Sequence, residues 1–216
     1  MVIKKLVKKN NESVEVCLDS GENIVLSLTA VVQLGLRKGT DLTEEDFLRL
    51  KDENEKFLIS NAAMRFLTLR DHSAFETRVK LERKGFRKNL IAEVINNLIN
   101  QRFINDEEFA LRYANEMSDN KKWGINKVRG MLYQKGIKRE IIEDVIKKIN
   151  EEEGNNENIF FLAEKKLKSL SGKSIEKRAL EQKLIAFLIS RGYPFDQARE
   201  TVRKVTSDVP ETDSDS

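Results

Sequence analysis

The sequence predicts a mainly α-helical protein, an elongated array of three tandem three-helix modules that follows a small N-terminal β-hairpin or three-stranded meander. Three observations support this fold class. The 216 residues include only 2 Pro and 10 Gly, and 35% of them are charged, a composition that favours long helices with one solvated face. The β-prone runs are confined to the first 28 residues. A Leu-x-x-(Lys/Arg)-Gly-(Phe/Ile/Tyr) pattern then occurs three times at intervals of 51 and 56 residues, near the repeat lengths of helical arrays.

The N-terminal β element is predicted from short apolar runs that alternate with turn residues. These runs are 2–7, 14–18 and 24–28, separated by Asn10-Asn11 and by Ser20-Gly21-Glu22-Asn23. Two or three antiparallel strands alone are only marginally stable. We therefore expect this element to pack against the helices that follow it.

Two helices are predicted after the strands. Thr29 is positioned to cap a short helix that ends at Gly35 or Gly39. Thr43, with Asp46 three residues later, then begins a longer helix that continues towards the first module.

The repeated pattern marks the same corner in each module, and its copies end at Phe86, Ile137 and Tyr193. The glycine supplies the left-handed residue that ends one helix, and the apolar residue after it fills the corner while the next helix turns back. Apolar residues at i, i+4 and i+8 follow each copy, which predicts a helix that is buried on one side. Capping-box patterns open two further helices, at Ser73 with Glu76 and at Asn105 with Glu108.

These patterns divide the chain into five segments. Glu151 to Asn158 is expected as a polar link between the second and third modules, and residues 171–174 as a polar corner inside the third. The segments are 1–50, the β element with short helices; 51–101, module 1; 102–153, module 2; 154–206, module 3; and 207–216, a disordered acidic tail.

Charge is concentrated in the middle of the chain. Residues 78–139 carry 15 Lys and Arg against 7 Asp and Glu, although the formal charge of the whole chain is only +3. Such a basic centre favours a partner that carries phosphates or carboxylates. The alternative is a solvated, lysine-rich helical face without a partner.

The sequence contains little that indicates catalysis. The one cysteine, Cys17, excludes an intramolecular disulfide and an all-cysteine metal site, and the one histidine, His72, stands in a polar turn where we expect it at the surface. Neither a GxxxxGK[ST] phosphate loop nor an HExxH motif is present. We therefore predict no catalytic residues, no metal and no cofactor. Without a secretory signal or an apolar stretch of about 20 residues, a soluble cytoplasmic protein is expected.

A basic surface with one tryptophan is the candidate binding site. Trp123 has two interpretations, a corner residue that covers the module core or an exposed anchor for a partner. A basic band repeated along the modules is able to follow a phosphate backbone or an acidic protein groove. The candidate residues are Arg83, Lys84, Arg87, Lys88, Lys121, Lys122, Trp123, Lys127, Arg129, Lys135, Lys138, Arg139, Lys177 and Arg178.

An ordered set of residues in the middle module resembles the central signature of the RecX family, regulators of the bacterial recombinase RecA. The resemblance covers about residues 50–205 and is sharpest in module 2. The residues that carry it are Phe103-Ile104-Asn105-Asp106-Glu107-Glu108-Phe109-Ala110, Tyr113, Lys122-Trp123-Gly124, Lys127, Leu132 and Lys135-Gly136-Ile137.

The resemblance implies a small, non-enzymatic modulator that acts in recombination and the SOS response. Such a protein binds the RecA nucleoprotein filament, lies in its helical groove and inhibits ATP hydrolysis, strand exchange or filament growth. It also implies weaker binding to single- or double-stranded DNA, and we expect a monomer that does not associate with membranes. Carried over to this chain, Lys121, Lys122, Trp123 and Lys127 lie in the well-matched motif.

Two other functions fit the same residues. Three-helix modules with basic helices are also typical of helix-turn-helix proteins, so a stand-alone DNA-binding protein is an alternative. A repeat scaffold for an unrelated acidic partner is a third interpretation.

Overall fold

A computed structural model gives the fold of residues 1–151, 154–171 and 175–207, with no side-chain description for 151 and 154–156. Corner residues 172–174 and the predicted acidic tail beyond Ser207 lie outside the described residues. The strands are β1 Ile3–Lys8, β2 Ser13–Leu18 and β3 Asn23–Ser27. The helices are α1 Leu28–Gln33, α2 Glu44–Leu69, α3 Ala74–Glu82, α4 Lys88–Asn100, α5 Asp106–Asp119, α6 Ile125–Gln134, α7 Arg139–Glu151, α8 Gly154–Leu170, α9 Lys177–Ser190 and α10 Phe195–Val205.

The first compact unit, Met1–Asn105, begins with a three-stranded antiparallel sheet in the order β1-β2-β3. Alternate residues of the strands face one core, where Ile3, Val16 and Leu26 are fully buried. Leu50 of α2 covers the same core. The predicted meander is therefore confirmed, and it packs against the helix that follows it.

Helix α1 begins two residues earlier than predicted. Ser27, the last residue of β3, accepts a hydrogen bond from the Ala30 amide through its side chain at 3.0 Å. The prediction that Thr29 caps this helix is wrong, because the extended backbone of Ser27 already places a hydroxyl over the first turn. The helix ends before Gly35, whose φ of +61° lies in the left-handed region.

Helix α2 is 26 residues long and belongs to two cores. Its predicted start is confirmed, because Thr43 and Asp46 exchange the two hydrogen bonds of a capping box at 3.1 and 3.0 Å. The Thr43 hydroxyl also donates to the Asp46 carboxylate at 2.7 Å, and this bond, together with the one from the Thr43 amide, lowers the pKa of the Asp46 carboxyl. The helix runs without interruption across residue 50, so that Leu50 packs under the sheet while Ile59 packs in module 1.

Module 1 consists of the second half of α2 with α3 and α4, and it buries a histidine. His72 is 3% exposed; its Nδ1 donates to the Arg70 carbonyl at 2.8 Å, and its Nε2 accepts from the Lys80 ammonium at 2.6 Å. The expectation of a surface histidine is therefore wrong, since the Phe66 ring, 6.2 Å away, and these two partners enclose it. Burial is the main cause of its lowered pKa.

The second compact unit, Asp106–Ser216, contains modules 2 and 3. Helices α5, α6 and α7 surround one core, and α8, α9 and α10 surround another. Helix α8 begins at Gly154, so the second half of the predicted polar link, from Gly154 to Asn158, belongs to the first turns of this helix. The prediction of a link was wrong there because Asn158 is buried against module 2 rather than solvated.

The predicted module corners are confirmed. Gly85, Gly136 and Gly192 have φ values of +85°, +71° and +96°, which L-residues with a side chain rarely adopt. In modules 2 and 3 the amide after the glycine donates to the carbonyl five residues earlier, at 3.1 and 3.2 Å, which closes the helix end. The leucine that opens each copy is fully buried: Leu81, Leu132 and Leu188. Among the described residues, no helix has the length and apolar content to cross a bilayer.

Candidate binding surface on the second and third modules

The corner between α5 and α6 carries the best-defined part of the candidate surface. After α5 ends, Lys122 adopts a left-handed φ of +52°, and the Trp123 amide donates to the Met117 carbonyl at 3.1 Å. Gly124 then caps α6 with extended backbone. The two lysines of this turn therefore differ in exposure. Lys121 is exposed, whereas Lys122 is half-buried.

Lys122 holds modules 2 and 3 together. Its ammonium donates to the Asn158 Oδ1 atom at 2.5 Å, and Asn158 in turn donates to the Ser118 carbonyl at 3.2 Å. The Lys122 carbonyl accepts a hydrogen bond from the Tyr193 hydroxyl at 3.2 Å. Burial raises the pKa of Tyr193 to about 12, so its hydroxyl remains a donor beyond the pH at which an ordinary tyrosine ionises.

Two glycines bring the backbones of the modules into direct contact. The Gly124 amide donates to the Arg191 carbonyl, and the Asn126 amide donates to the Gly192 carbonyl, both at 2.9 Å. A Cβ atom on Gly124 would lie 2.4 Å from the Gly192 carbonyl carbon, and one on Gly192 would lie 2.4 Å from the Lys127 Cβ. The two backbones therefore come this close only because both positions are glycine, which has no Cβ atom.

Trp123 lies at the edge of the module 2 core. Its half-buried ring packs against that core, as the corner interpretation predicts. The Lys127 ammonium lies 4.6 Å from the ring centroid, within the range of a cation–π contact. The ring thus already has a cation as a partner within the protein.

Other candidate cations are also engaged within the protein. The Arg129 guanidinium contacts both carboxylate oxygens of Glu143 at 3.2 Å. The Lys135 ammonium lies 4.8 Å from the Tyr113 ring centroid. In module 1, Arg87 pairs with Asp52 and Glu55 at 2.6 Å, and these hydrogen-bonded carboxylates raise the pKa of its guanidinium.

A second group of candidate cations is free to meet a partner. These side chains are exposed, and within the described part of the chain they form no ion pair, side-chain hydrogen bond or ring contact. All of them lie at or near the ends of helices. One follows the last residue of α3, one lies between α5 and α6, and the others lie at the beginnings of α4, α7 and α9. The group consists of Arg83, Lys88, Lys121, Lys138, Arg139 and Arg178.

The two remaining candidates are intermediate cases. Lys84 is exposed with its ammonium 5.9 Å from the Phe66 ring centroid. Lys177, the first residue of α9, is half-buried. In the described ranges, no three His, Cys, Asp or Glu side chains are grouped as metal ligands.

Sequence reasoning missed the residues that join the two modules. The roles of Ser118, Asn158 and Gly192 in this junction were not predicted, because their partners are 36 to 66 positions away in the chain. The third copy of the corner pattern does carry one usable signal. It has Tyr193 where the other copies have Phe86 and Ile137, and a buried hydroxyl requires a hydrogen-bond partner.

Comparison with known proteins assigns the three modules. Three family models match residues 61–98, 105–146 and 152–202, described as the first, second and third three-helix domains of RecX. The regulatory protein RecX of Clostridium perfringens (strain SM101 / Type A) is 30% identical over 200 residues, which are 93% of each chain. The chain belongs to the RecX family. The RecX of Chlorobium limicola is 32% identical over 153 residues, 71% of this chain and 92% of that protein.

Solved RecX structures have the same fold. A crystal structure of regulatory protein RecX matches with a TM-score of 0.81, covering 96% of this chain and 99% of that one at 20% identity. The RecX from Lactobacillus salivarius matches with a TM-score of 0.65 over 71% of this chain and 98% of that one, at 25% identity. The curated RecX relatives are named regulatory proteins, and this member of the family is accordingly not an enzyme.

Proposed function

We propose that the protein regulates RecA by stoichiometric binding to the RecA nucleoprotein filament. It lies in the helical groove of the filament as a monomer and inhibits ATP hydrolysis, strand exchange and filament growth, with a weaker direct contact to DNA. The observation that carries this proposal is the match of three consecutive RecX domains along one chain. A regulator of chromosomal recombination in bacteria acts in the cytoplasm.

The basic surface would supply the attraction to the filament. Cations that are exposed and unpaired approach a polyanion without first losing an internal ion pair, whereas Arg129 and Arg87 must give up carboxylate partners. Each phosphate contact releases condensed counterions, so the affinity should fall steeply with salt. We therefore assign the first contacts to the free cations of module 2, namely Lys121, Lys138 and Arg139.

The test is inhibition of RecA ATP hydrolysis on single-stranded DNA. Charge reversal of Lys121, Lys138 and Arg139 to Glu should raise the concentration for half-inhibition at least tenfold. Lys122 and Lys127 are left unchanged, because they contact Asn158 and Trp123 and their loss would disturb the module junction. The matched control reverses three exposed cations outside the candidate set, Lys147, Lys148 and Arg203.

The control should inhibit like the unmodified protein, and circular dichroism should show equal helicity in all three. Full inhibition by the first variant would refute the assigned surface. Co-sedimentation with RecA assembled on single-stranded DNA, compared with DNA alone, tests the function itself. Sequence-selective duplex binding without RecA at two salt concentrations would instead support the helix-turn-helix alternative.

A further inference from the structure

Helices α8 and α9 face each other with the same short pattern, an aromatic residue followed four positions later by a cation. On α8, the Lys165 ammonium lies 6.0 Å from the Phe161 ring centroid. At the end of α9, the guanidinium of its C-cap residue Arg191 lies 5.3 Å from the Phe187 ring centroid. The Lys166 ammonium approaches the Phe187 ring as well, at 5.4 Å. Each helix therefore carries one ring with at least one cation near it.

A cleft of about 210 Å³ lies between these helices. Its lining contains three cations and one exposed serine but, among the described residues, no carboxylate. The lining residues are Leu162, Lys165, Lys166, Ser169, Phe187 and Arg191. Phe161 lies next to this lining, with its ring centroid 6.0 Å from the Lys165 ammonium, and we call the lining residues together with Phe161 the aromatic-basic cleft.

The electrostatics of the aromatic-basic cleft are uncompensated. Lys122 adds a fourth cation beside it, 5.3 Å from the Phe161 ring centroid. None of Lys122, Lys165, Lys166 and Arg191 forms an ion pair within the ranges that the structure describes. The Phe161 ring is also 50% exposed, so it is accessible to a ligand. Converging cations around exposed rings indicate an anionic ligand that also carries planar groups.

We propose that the aromatic-basic cleft binds single-stranded nucleic acid. A single strand presents one phosphate and one planar base per nucleotide, and the two helices each carry a cation and a ring that match this combination. Its bases are free to stack on aromatic side chains, whereas in a duplex the faces of the bases are already stacked. An acidic peptide would satisfy the cations but would leave the rings without a planar partner.

This inference extends the proposed contact with DNA to residues of module 3 and does not rest on a contact with RecA. The experiment therefore contains no recombinase. Fluorescence anisotropy measures binding of the full chain to a labelled oligothymidylate and to a duplex of the same length, over a series of salt concentrations. The variants are Phe161→Ala, Lys165→Ala with Lys166→Ala, and the control Lys147→Ala with Lys148→Ala, which removes two exposed lysines of α7.

Phe161→Ala should weaken oligothymidylate binding about tenfold at every salt concentration, because stacking of a base on an aromatic ring is lost. The Lys165 and Lys166 variant should also reduce the slope of log K against log salt by about 0.7 for each lysine. The control should change neither quantity. A merely structural role for these residues would not alter the salt slope.

Three results would overturn the proposal. The first is unchanged oligothymidylate binding by both cleft variants with intact helicity. The second is an equal loss of duplex and single-strand binding by Phe161→Ala, which would remove the case for stacked bases. The third comes from the same assay with a labelled peptide that has the acidic sequence of residues 207–216. If the cleft variants lose binding to this peptide but retain binding to oligothymidylate, the cleft is a site for acidic peptides.

Discussion

Replacement of Gly124 by alanine should open the contact between modules 2 and 3. Gly124 has an ordinary φ of −71°, so an alanine there meets no backbone strain of its own. Its Cβ would lie 2.4 Å from the carbonyl carbon of Gly192 and from the amide nitrogen of Tyr193, and ordinary contact begins at 3.4 Å. The two backbones must therefore separate by about 1 Å.

That separation breaks specific hydrogen bonds. The amide of Gly124 and the amide of Asn126 each donate across the contact at 2.9 Å, and an additional 1 Å takes both beyond hydrogen-bond distance. The Tyr193 hydroxyl bond to Lys122, at 3.2 Å, belongs to the same contact. Three hydrogen bonds at about 1 kcal/mol each predict a loss of about 3 kcal/mol.

Urea denaturation measures this loss. Trp123 is the one tryptophan of the chain and adjoins Gly124, so its fluorescence reports the contact while far-UV circular dichroism reports the helices. With a slope of about 2 kcal/mol per molar urea, the midpoint should fall by about 1.5 M. Gly130→Ala is the matched control, because Gly130 lies inside α6 with nothing within 4 Å of an added Cβ.

The control should raise the midpoint, since alanine is about 1 kcal/mol better than glycine within a helix. A Gly124→Ala variant whose midpoint equals or exceeds that of Gly130→Ala would refute the reasoning. It would mean that the backbones adjust to a methyl group without losing their hydrogen bonds.

Two further predictions concern titrating groups. His72 has a folded pKa below its ordinary 6.5, so its contribution to the free energy of unfolding is fully present above pH 6.5 and is lost as the pH falls through the folded pKa. Thermal melts at a series of pH values should show this loss, and His72→Gln should remove it. Tyr193 has a pKa raised from 10.0 to about 12, so its contribution to the free energy of unfolding is fully present below pH 10 and is lost as the pH rises towards 12. Absorbance titration should show a late tyrosinate step that Tyr193→Phe lacks, and this variant should lose about 1 kcal/mol because the bond to Lys122 is absent. A normal titration of either residue, or a Tyr193→Phe variant as stable as the parent, would contradict the environment described for it.

Local signals in the sequence predicted much of the fold. The spacing of Thr43 and Asp46 predicts a capping box, and the glycine at position 85, 136 or 192 predicts a left-handed helix end; both depend on residues that are close in the chain. The first helix was misplaced because Ser27 and Thr29 are both residue types that cap helices. Only the extended end of β3 selects Ser27.

The candidate surface was predicted less completely, for a physical reason. Composition identifies cations but does not show which of them have partners. Arg87 finds its carboxylates on α2 and Arg129 finds one on α7, after the chain has folded back on itself. His72 was misplaced in the same way, because the ring and ammonium that enclose it come from Phe66 and Lys80.

Helix α2 makes the two halves of the first unit inseparable. At 26 residues it is about 39 Å long, and one end completes the core under the sheet while the other completes that of module 1. Cutting the chain at residue 50 would divide this helix and so disrupt its packing in both cores. Modules 2 and 3 each have three helices of their own, so the core of neither one depends on a helix shared in this way.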